Sequence, residues 1–283
     1  MKQVCVNFIR ESVEKYEFDG CVIGISGGLD SAVVAALCCK AVGKERVLGM
    51  LLPERDSAKT TLEESKLVCD HLGIDYKIKN MKGILRKMGA YSLKPPASLF
   101  PRKFQESYVR KKWEELPQRD TFIEDLEGRG TREFLEGLAF YRVKHRARMC
   151  LLYLEAEQRN YAVMGTSNKT ELMTGFYVKW GDDSTDIEPV KHLYKTQVYE
   201  LAKALEIPSS IIEKAPSPDL IPGITDEFAL KIKYNDLDRI LMKIEDGGKG
   251  LEEENEQDLN RVREIIAAAE KRKFKNLSLL GDD

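Results

Sequence analysis

Val22-Ile23-Gly24-Ile25-Ser26-Gly27-Gly28-Leu29-Asp30-Ser31 is the stretch around which the reading of this chain turns. Its first four residues are mostly apolar and β-branched, bounded by Gly20 and the Gly27-Gly28 pair, the pattern of a short buried strand. A helix is expected from Asp30 to about Val42, stopping at Gly43. Between strand and helix, two adjacent glycines let backbone N–H groups approach an anion with no Cβ in the way. The helix N-terminus adds its first amides and the positive end of its dipole. Ser26 and Ser31 supply hydroxyls. No lysine follows the glycines, so this is not the GxxxxGK[ST] P-loop. The turn Gly24–Ser31 therefore reads as a phosphate cradle of a different kind.

Asp30 has two readings. A carboxylate beside a phosphate site repels it unless a cation intervenes, which makes a Mg²⁺ ligand one role. Capping its own helix is the other. A second carboxylate elsewhere in the chain would separate them.

Working outward, residues 4–16 have helical spacing in Val4, Phe8, Ile9 and Val13. Residues 46–52 and 75–78 read as second and third strands, with a helix over 56–72 between them. A helix from about Arg132 to Asn160 feeds a fourth strand, Tyr161–Met164, and another helix covers Thr196–Glu206. Alternating strands and helices imply an α/β fold, a doubly wound parallel sheet in a three-layer, Rossmann-like arrangement. The last third reads as helical, Leu230–Glu245 and Glu252–Arg272, separated by Gly247-Gly248-Lys249-Gly250. Residues 1–283 are read as one unit. Two regions interrupt the order: 90–128, rich in proline and charge and read as a lid, interface arm or insertion, and 174–191, read as an exposed loop.

Composition narrows the function. The chain has 283 residues, 42% hydrophobic and 33% charged, with a formal net charge of −2, so no bulk field favours nucleic acid or an anionic membrane. No apolar run approaches the length of a membrane span, and the N-terminus lacks a secretory h-region; a cytoplasmic location is expected. Cys5, Cys21, Cys38, Cys39, Cys69 and Cys150 form no CxxC pair and read as buried apolar thiols. His71, His145 and His192 lack metal-ligand spacing.

The second carboxylate lies in Gly165-Thr166-Ser167-Asn168-Lys169-Thr170-Glu171, directly after the fourth strand, where an open α/β sheet binds ligands. Thr174 through Asp182, Asp186 and Leu193-Tyr194-Lys195 follow. Together with Ser26–Ser31 this pattern resembles the NAD synthetases, enzymes of the N-type ATP pyrophosphatase group that amidate deamido-NAD, over about residues 4–80 and 139–273. The resemblance implies that Gly24, Ile25, Ser26, Gly27, Gly28, Leu29, Asp30 and Ser31 bind ATP, joined by Thr166, Lys195 and Ser217. It implies Mg²⁺ between Asp30 and Glu171. It assigns Arg146, Lys179, Asp186 and Lys271 to deamido-NAD, and a homodimer with that acid near the interface.

Two places depart from the family pattern. Tyr141-Arg142 stands where a Gly-Asn pair is usual, with His145 replacing an alanine, and Glu270 takes the place of a histidine before Lys271-Arg272. Both lie on the acid side, which keeps open a second reading, an ATP pyrophosphatase-type enzyme acting on another acid or a nucleobase. A non-catalytic nucleotide-binding regulator would have lost Asp30, Glu171 or Lys195, and all three are present. The chain starts about twenty residues before its first strand, which leaves no room for a glutamine amidohydrolase domain. Free ammonia is the expected donor, or ammonia from a separate glutaminase.

Overall fold

The computed structural model describes residues 1–93, 119–216 and 224–274. Among them, β1 (Gly20–Gly24), β2 (Val47–Leu51), β3 (Asp75–Ile78) and β4 (Tyr161–Met164) form a parallel sheet in the order β3-β2-β1-β4. Val22 of β1 sits opposite Leu48 on one side and Val163 on the other. A central parallel strand has both faces covered, which is why β1 reads as a continuous apolar run without alternation. The edge strand β3 is polar and largely exposed, Asp75-Tyr76-Lys77-Ile78, as an unpaired edge tolerates.

In chain order the α-helices are α1 (Lys2–Lys15), α2 (Leu29–Val42), α3 (Lys59–Leu72), α4 (Lys82–Lys87), α5 (Thr121–Glu127), α6 (Arg132–Glu157), α7 (Lys169–Thr174), α8 (Lys195–Ala204), α9 (Ser209–Ile212), α10 (Asp226–Leu230), α11 (Tyr234–Glu245) and α12 (Glu256–Lys273). Successive residues of β1 point to opposite layers. Cys21 and Ile23 join Ile9 and Val13 of α1, Val33 and Leu37 of α2, and Val198 and Leu201 of α8. Val22 joins Leu85 of α4 and Met149 and Leu152 of α6. The sheet therefore lies between two helical layers, the α/β arrangement expected. α2 is apolar nearly all round because it is buried nearly all round, with Val33, Val34 and Leu37 fully inaccessible.

A second core lies beyond the sheet. Phe122 and Leu126 of α5, Leu237, Ile240 and Leu241 of α11, and Val262, Ile265 and Ala269 of α12 pack together. Residues 121–127 thus form a buried helix rather than part of an open lid, started by the Asp120 carboxylate, which accepts from the amides of Phe122 and Ile123. Residues 94–118 of that interruption lie outside the described residues.

Three expectations need correcting. Residues 174–191 are not an exposed loop: Tyr177, Val178, Ile187 and Val190 are buried. Ile187 bridges Met164 in parallel, and the Asp186 carboxylate accepts from the Val163 amide at 2.8 Å, so the segment extends β4's hydrogen bonding. The Leu230–Glu245 helix is two helices, because Lys231 takes a left-handed φ of 59° and ends α10. The cysteines are not all buried either, since Cys150 is exposed on α6.

Candidate active site

The carboxyl ends of β1, β2 and β4 open onto a cavity of about 350 Å³. Gly24, Ile25, Ser26, Gly28, Leu29, Asp30 and Ser31 line it from the β1–α2 turn. Gly27 turns away from the cavity: its φ is +74°, and a Cβ there would stand 3.0 Å from the Thr61 carbonyl of α3. Glycine at that position is what lets the loop bend between sheet and α3. The loop is held by its own hydroxyls. Ser31 Oγ donates to the Gly28 carbonyl at 3.0 Å and lies 3.1 Å from Ser26 Oγ, which accepts from the Gly28 amide at 3.2 Å.

Asp30 stands in the first turn of α2 without capping it, since α2 has no side-chain cap bond. Its carboxylate instead pairs with Lys195 Nζ, and its other oxygen accepts from Asn168 Nδ2 at 3.1 Å. Lys195 opens α8 and is 3% exposed. Its amide donates to Thr170 Oγ1 at 2.9 Å, and the Thr170 hydroxyl donates to Asp238 of α11 at 2.5 Å. Burial alone would lower the Lys195 pKa, but Asp30, Glu171 and Asp226 more than offset it and hold the ammonium charged.

Glu171 reaches the same place through a capping box on α7. The Asn168 side chain accepts from the Glu171 amide at 3.0 Å, and the Glu171 carboxylate accepts from the Asn168 amide at 3.2 Å. Burial first, then repulsion from Asp30, pushes the Glu171 pKa well above the usual carboxylate range, with Lys195 opposing. An acid held at this cost beside a second carboxylate fits a dication, whose charge would relieve it. No group of three His, Cys, Asp or Glu forms a metal cage among the described residues, so further ligands would come from phosphate oxygens and water.

Thr166 lines the cavity too, whereas Ser217 lies outside the described residues. Sequence reasoning missed Asn168 and Asp226. Asn168, fully buried, joins Asp30 to Glu171, and its N-x-x-E spacing with Glu171 is a legible cap signal. Asp226, at the start of α10, lines the cavity with its pKa pushed up to about 6 by burial, against the attraction of Lys195.

The acid end is built differently. Arg272, not Lys271, turns inward: it is 8% exposed and donates to Asp125 Oδ2 at 2.7 Å and to the Gly175 and Tyr177 carbonyls. Arg142 and the Tyr141 hydroxyl share Asp125 Oδ1, at 2.9 and 2.5 Å. Tyr141, His145, Arg148 and Asp182 also line the cavity. Burial pushes the His145 pKa down, against Asp182 3.5 Å from its Nδ1, and so favours the neutral ring. Arg146, Lys179, Asp186 and Lys271 are absent from the lining. Arg146 donates to the Lys179 carbonyl at 3.1 Å, Lys179 Nζ to the Phe274 carbonyl and Lys271 Nζ to the Glu127 carbonyl, while Asp186 accepts from the Tyr153 hydroxyl at 2.9 Å.

The NAD synthase family model matches residues 1–113 and 120–278. An NH(3)-dependent NAD(+) synthetase of Thermotoga neapolitana is 52% identical over 271 residues, covering 96% of this chain and 93% of that protein. The solved NMN synthetase of Francisella tularensis superposes with a TM-score of 0.73 at 27% identity, covering 98% of this chain and 97% of that one. An NH3-dependent NAD synthetase of Campylobacter jejuni, in complex with nitrate, gives 0.70 at 27%, covering 98% and 96%. On the match over nearly the whole chain and the 52% identity to that relative, the chain belongs to the NAD synthase family.

Proposed function

We infer that this chain amidates deamido-NAD to NAD with ammonia, using ATP and releasing AMP and pyrophosphate. The observation that carries the site's part in this is the meeting of the glycine turn, Asp30, Glu171 and Lys195 in one cavity.

An ionised carboxylate resists ammonia because its oxide is a poor leaving group. Attack of the nicotinate carboxylate on the α-phosphorus of ATP gives an acyl adenylate and expels pyrophosphate; ammonia then displaces AMP. No enzyme nucleophile is required. In this reading the amides of Gly28 and its neighbours cradle the phosphates, and Thr166 and Ser217 contact the nucleotide. Lys195, kept charged and fixed by Thr170 and Asp238, sits where negative charge grows on the leaving pyrophosphate. Asp30 and Glu171 would hold Mg²⁺, which when bound neutralises phosphate charge. Asn168 keeps both carboxylates facing one point.

On the acid side, the aromatic wall of Phe122 and Phe176, ring centroids 5.4 Å apart, suits a pyridine ring. Arg148 and neutral His145 line the same cavity. Arg146, Lys179, Asp186 and Lys271 take the rest of the dinucleotide outside the cavity, beside the partner of a homodimer.

The test is AMP and pyrophosphate release with ATP, Mg²⁺, ammonium and a panel of acids. Stoichiometric NAD, AMP and pyrophosphate from deamido-NAD is the expected result; turnover with none of the nicotinate nucleotides would overturn the assignment. A second reading, the mononucleotide acid as preferred substrate, is favoured by the NMN synthetase likeness and by a cavity lining that excludes the four outer residues. A higher kcat/KM for that acid in the same panel would select it.

A further inference from the structure

Asp226 touches neither phosphate nor metal in the reading above, where it only helps to keep Lys195 charged, yet it lines the same cavity as Asp30, Glu171 and Lys195. The residue is 6% exposed. Its Oδ2 accepts a 3.0 Å hydrogen bond from the hydroxyl of Tyr234, itself 4% exposed. Its Oδ1 is buried with no hydrogen-bond partner among the described residues. The neighbouring acids differ: Asp30 has Lys195 and Asn168, and Glu171 has the Asn168 amide. A buried carboxylate oxygen without a donor is expensive, and a protein that keeps one leaves it for something that arrives.

What arrives must bring N–H or O–H donors or a metal. A second divalent ion would need several oxygen ligands. Here one Asp226 oxygen already serves Tyr234, and no three His, Cys, Asp or Glu gather for a metal among the described residues. A small monovalent cation with N–H donors needs less. Three acids, Asp30, Glu171 and Asp226, face one buried lysine, so the local field draws cations inward. Tyr199 lines the cavity, and the Tyr234 ring lies behind it, its centroid 5.7 Å from Lys195 Nζ. Aromatic faces beside a carboxylate suit an ammonium ion.

We propose that Asp226 Oδ1 is the acceptor that holds the ammonium substrate, seating the nitrogen beside the adenylation site. The proposal rests on the amidation reading. It makes Asp226 a nitrogen-substrate residue, distinct in role from the metal carboxylates Asp30 and Glu171.

The experiment measures steady-state amidation and, separately, exchange of labelled pyrophosphate into ATP with deamido-NAD and no ammonium. Asp226→Asn preserves shape and an acceptor for the Tyr234 hydroxyl while removing the charge. A charge-assisted hydrogen bond of about 1.5–3 kcal/mol corresponds to a rise in the ammonium KM of about ten- to a hundredfold. The KM for deamido-NAD should stay within about twofold, because the charge lost does not touch that acid. Tyr234→Phe should raise the ammonium KM less, leaving the carboxylate charged but loosely held. An unchanged ammonium KM in Asp226→Asn, with exchange intact, overturns the ammonium site alone. Wild-type protein showing neither exchange nor amidation overturns the reaction and the site with it. Should Asp226→Asn lose exchange as well, binding is read on the wild type: ammonium chloride should slow amide hydrogen exchange over 226–234 where sodium and tetramethylammonium chlorides do not. Equal effects of the three salts overturn the proposal.

Discussion

At the scale of single residues, the cavity gathers buried acids around one lysine that only partly offsets the cost of their charge. Asp226 titrates near 6 in the fold against an ordinary 3.8, raised chiefly by burial. Between those values the folded state binds more protons than the unfolded one, so this group makes the ligand-free protein less stable as pH rises through the window. The gap corresponds to on the order of 3 kcal/mol. Asp226→Asn should therefore raise the unfolding free energy of the ligand-free protein at pH 7.5, by an amount that shrinks toward pH 4. Denaturant titrations of both proteins at the two pH values would show it; equal stability at pH 7.5 would remove Asp226 from the list of strained groups. Asp30→Asn and Glu171→Gln act on function: each should cut adenylation by orders of magnitude with the fold retained, and near-full turnover of either at saturating Mg²⁺ would dismiss the two-carboxylate site. Asp30 and Glu171 were legible because they sit in compact motifs beside strand ends, and Lys195 was singled out through the resemblance to NAD synthetases. Asp226 was not, since an isolated acid on a five-residue helix follows no spacing rule and only burial marks it.

At the scale of elements, short helices aim the chemistry. α7 is six residues long, too short to stand by propensity, and depends on the Asn168–Glu171 capping box. Asn168→Ala should cost about 1 kcal/mol as a lost cap and, by freeing Asp30 and Glu171 from each other, reduce turnover far more than that stability loss implies. Melting and exchange assays on the same preparation separate the two effects; proportionate small losses would make Asn168 structural only. The α5–α12 contact is the corresponding element at the acid end. Arg272→Ala leaves Asp125 with Arg142 and Tyr141 only, and a buried carboxylate stripped of one cation costs about 3 kcal/mol. A denaturation midpoint unchanged by this substitution would contradict the assigned pairing. Sequence reading found α6 and α12 and singled out Lys271 for deamido-NAD, but it did not mark Arg272 as the side chain that turns into the core. Adjacent positions on a helix differ by about 100° of rotation, and a run of Lys271-Arg272-Lys273 does not disclose which one faces the core. The 174–191 segment was misread for a related reason: glycine and aspartate mark turns, yet here Asp186 accepts from the Val163 amide and Ile187 bridges β4.

At the scale of the whole molecule, the sheet and its two layers follow from β1, whose alternate residues serve different cores. That arithmetic needs only period and run length, so the parallel sheet and the placement of the glycine turn were within reach of sequence, though the strand order was not. The helical core of α5, α11 and α12 was not, because it joins a segment near residue 122 to one near 265, and no local pattern encodes a contact over that distance. The layout brings the glycine turn, the two acids Asp30 and Glu171, Lys195 and the aromatic pair Phe122 and Phe176 to one cavity. Its central claim is that the carboxylate is activated by ATP before nitrogen enters. The most direct measurement is exchange of labelled pyrophosphate into ATP by the purified protein, with deamido-NAD and Mg²⁺ but no ammonium. The account predicts exchange that depends on the acid and is abolished by Asp30→Asn; exchange that appears only once ammonium is added would contradict it.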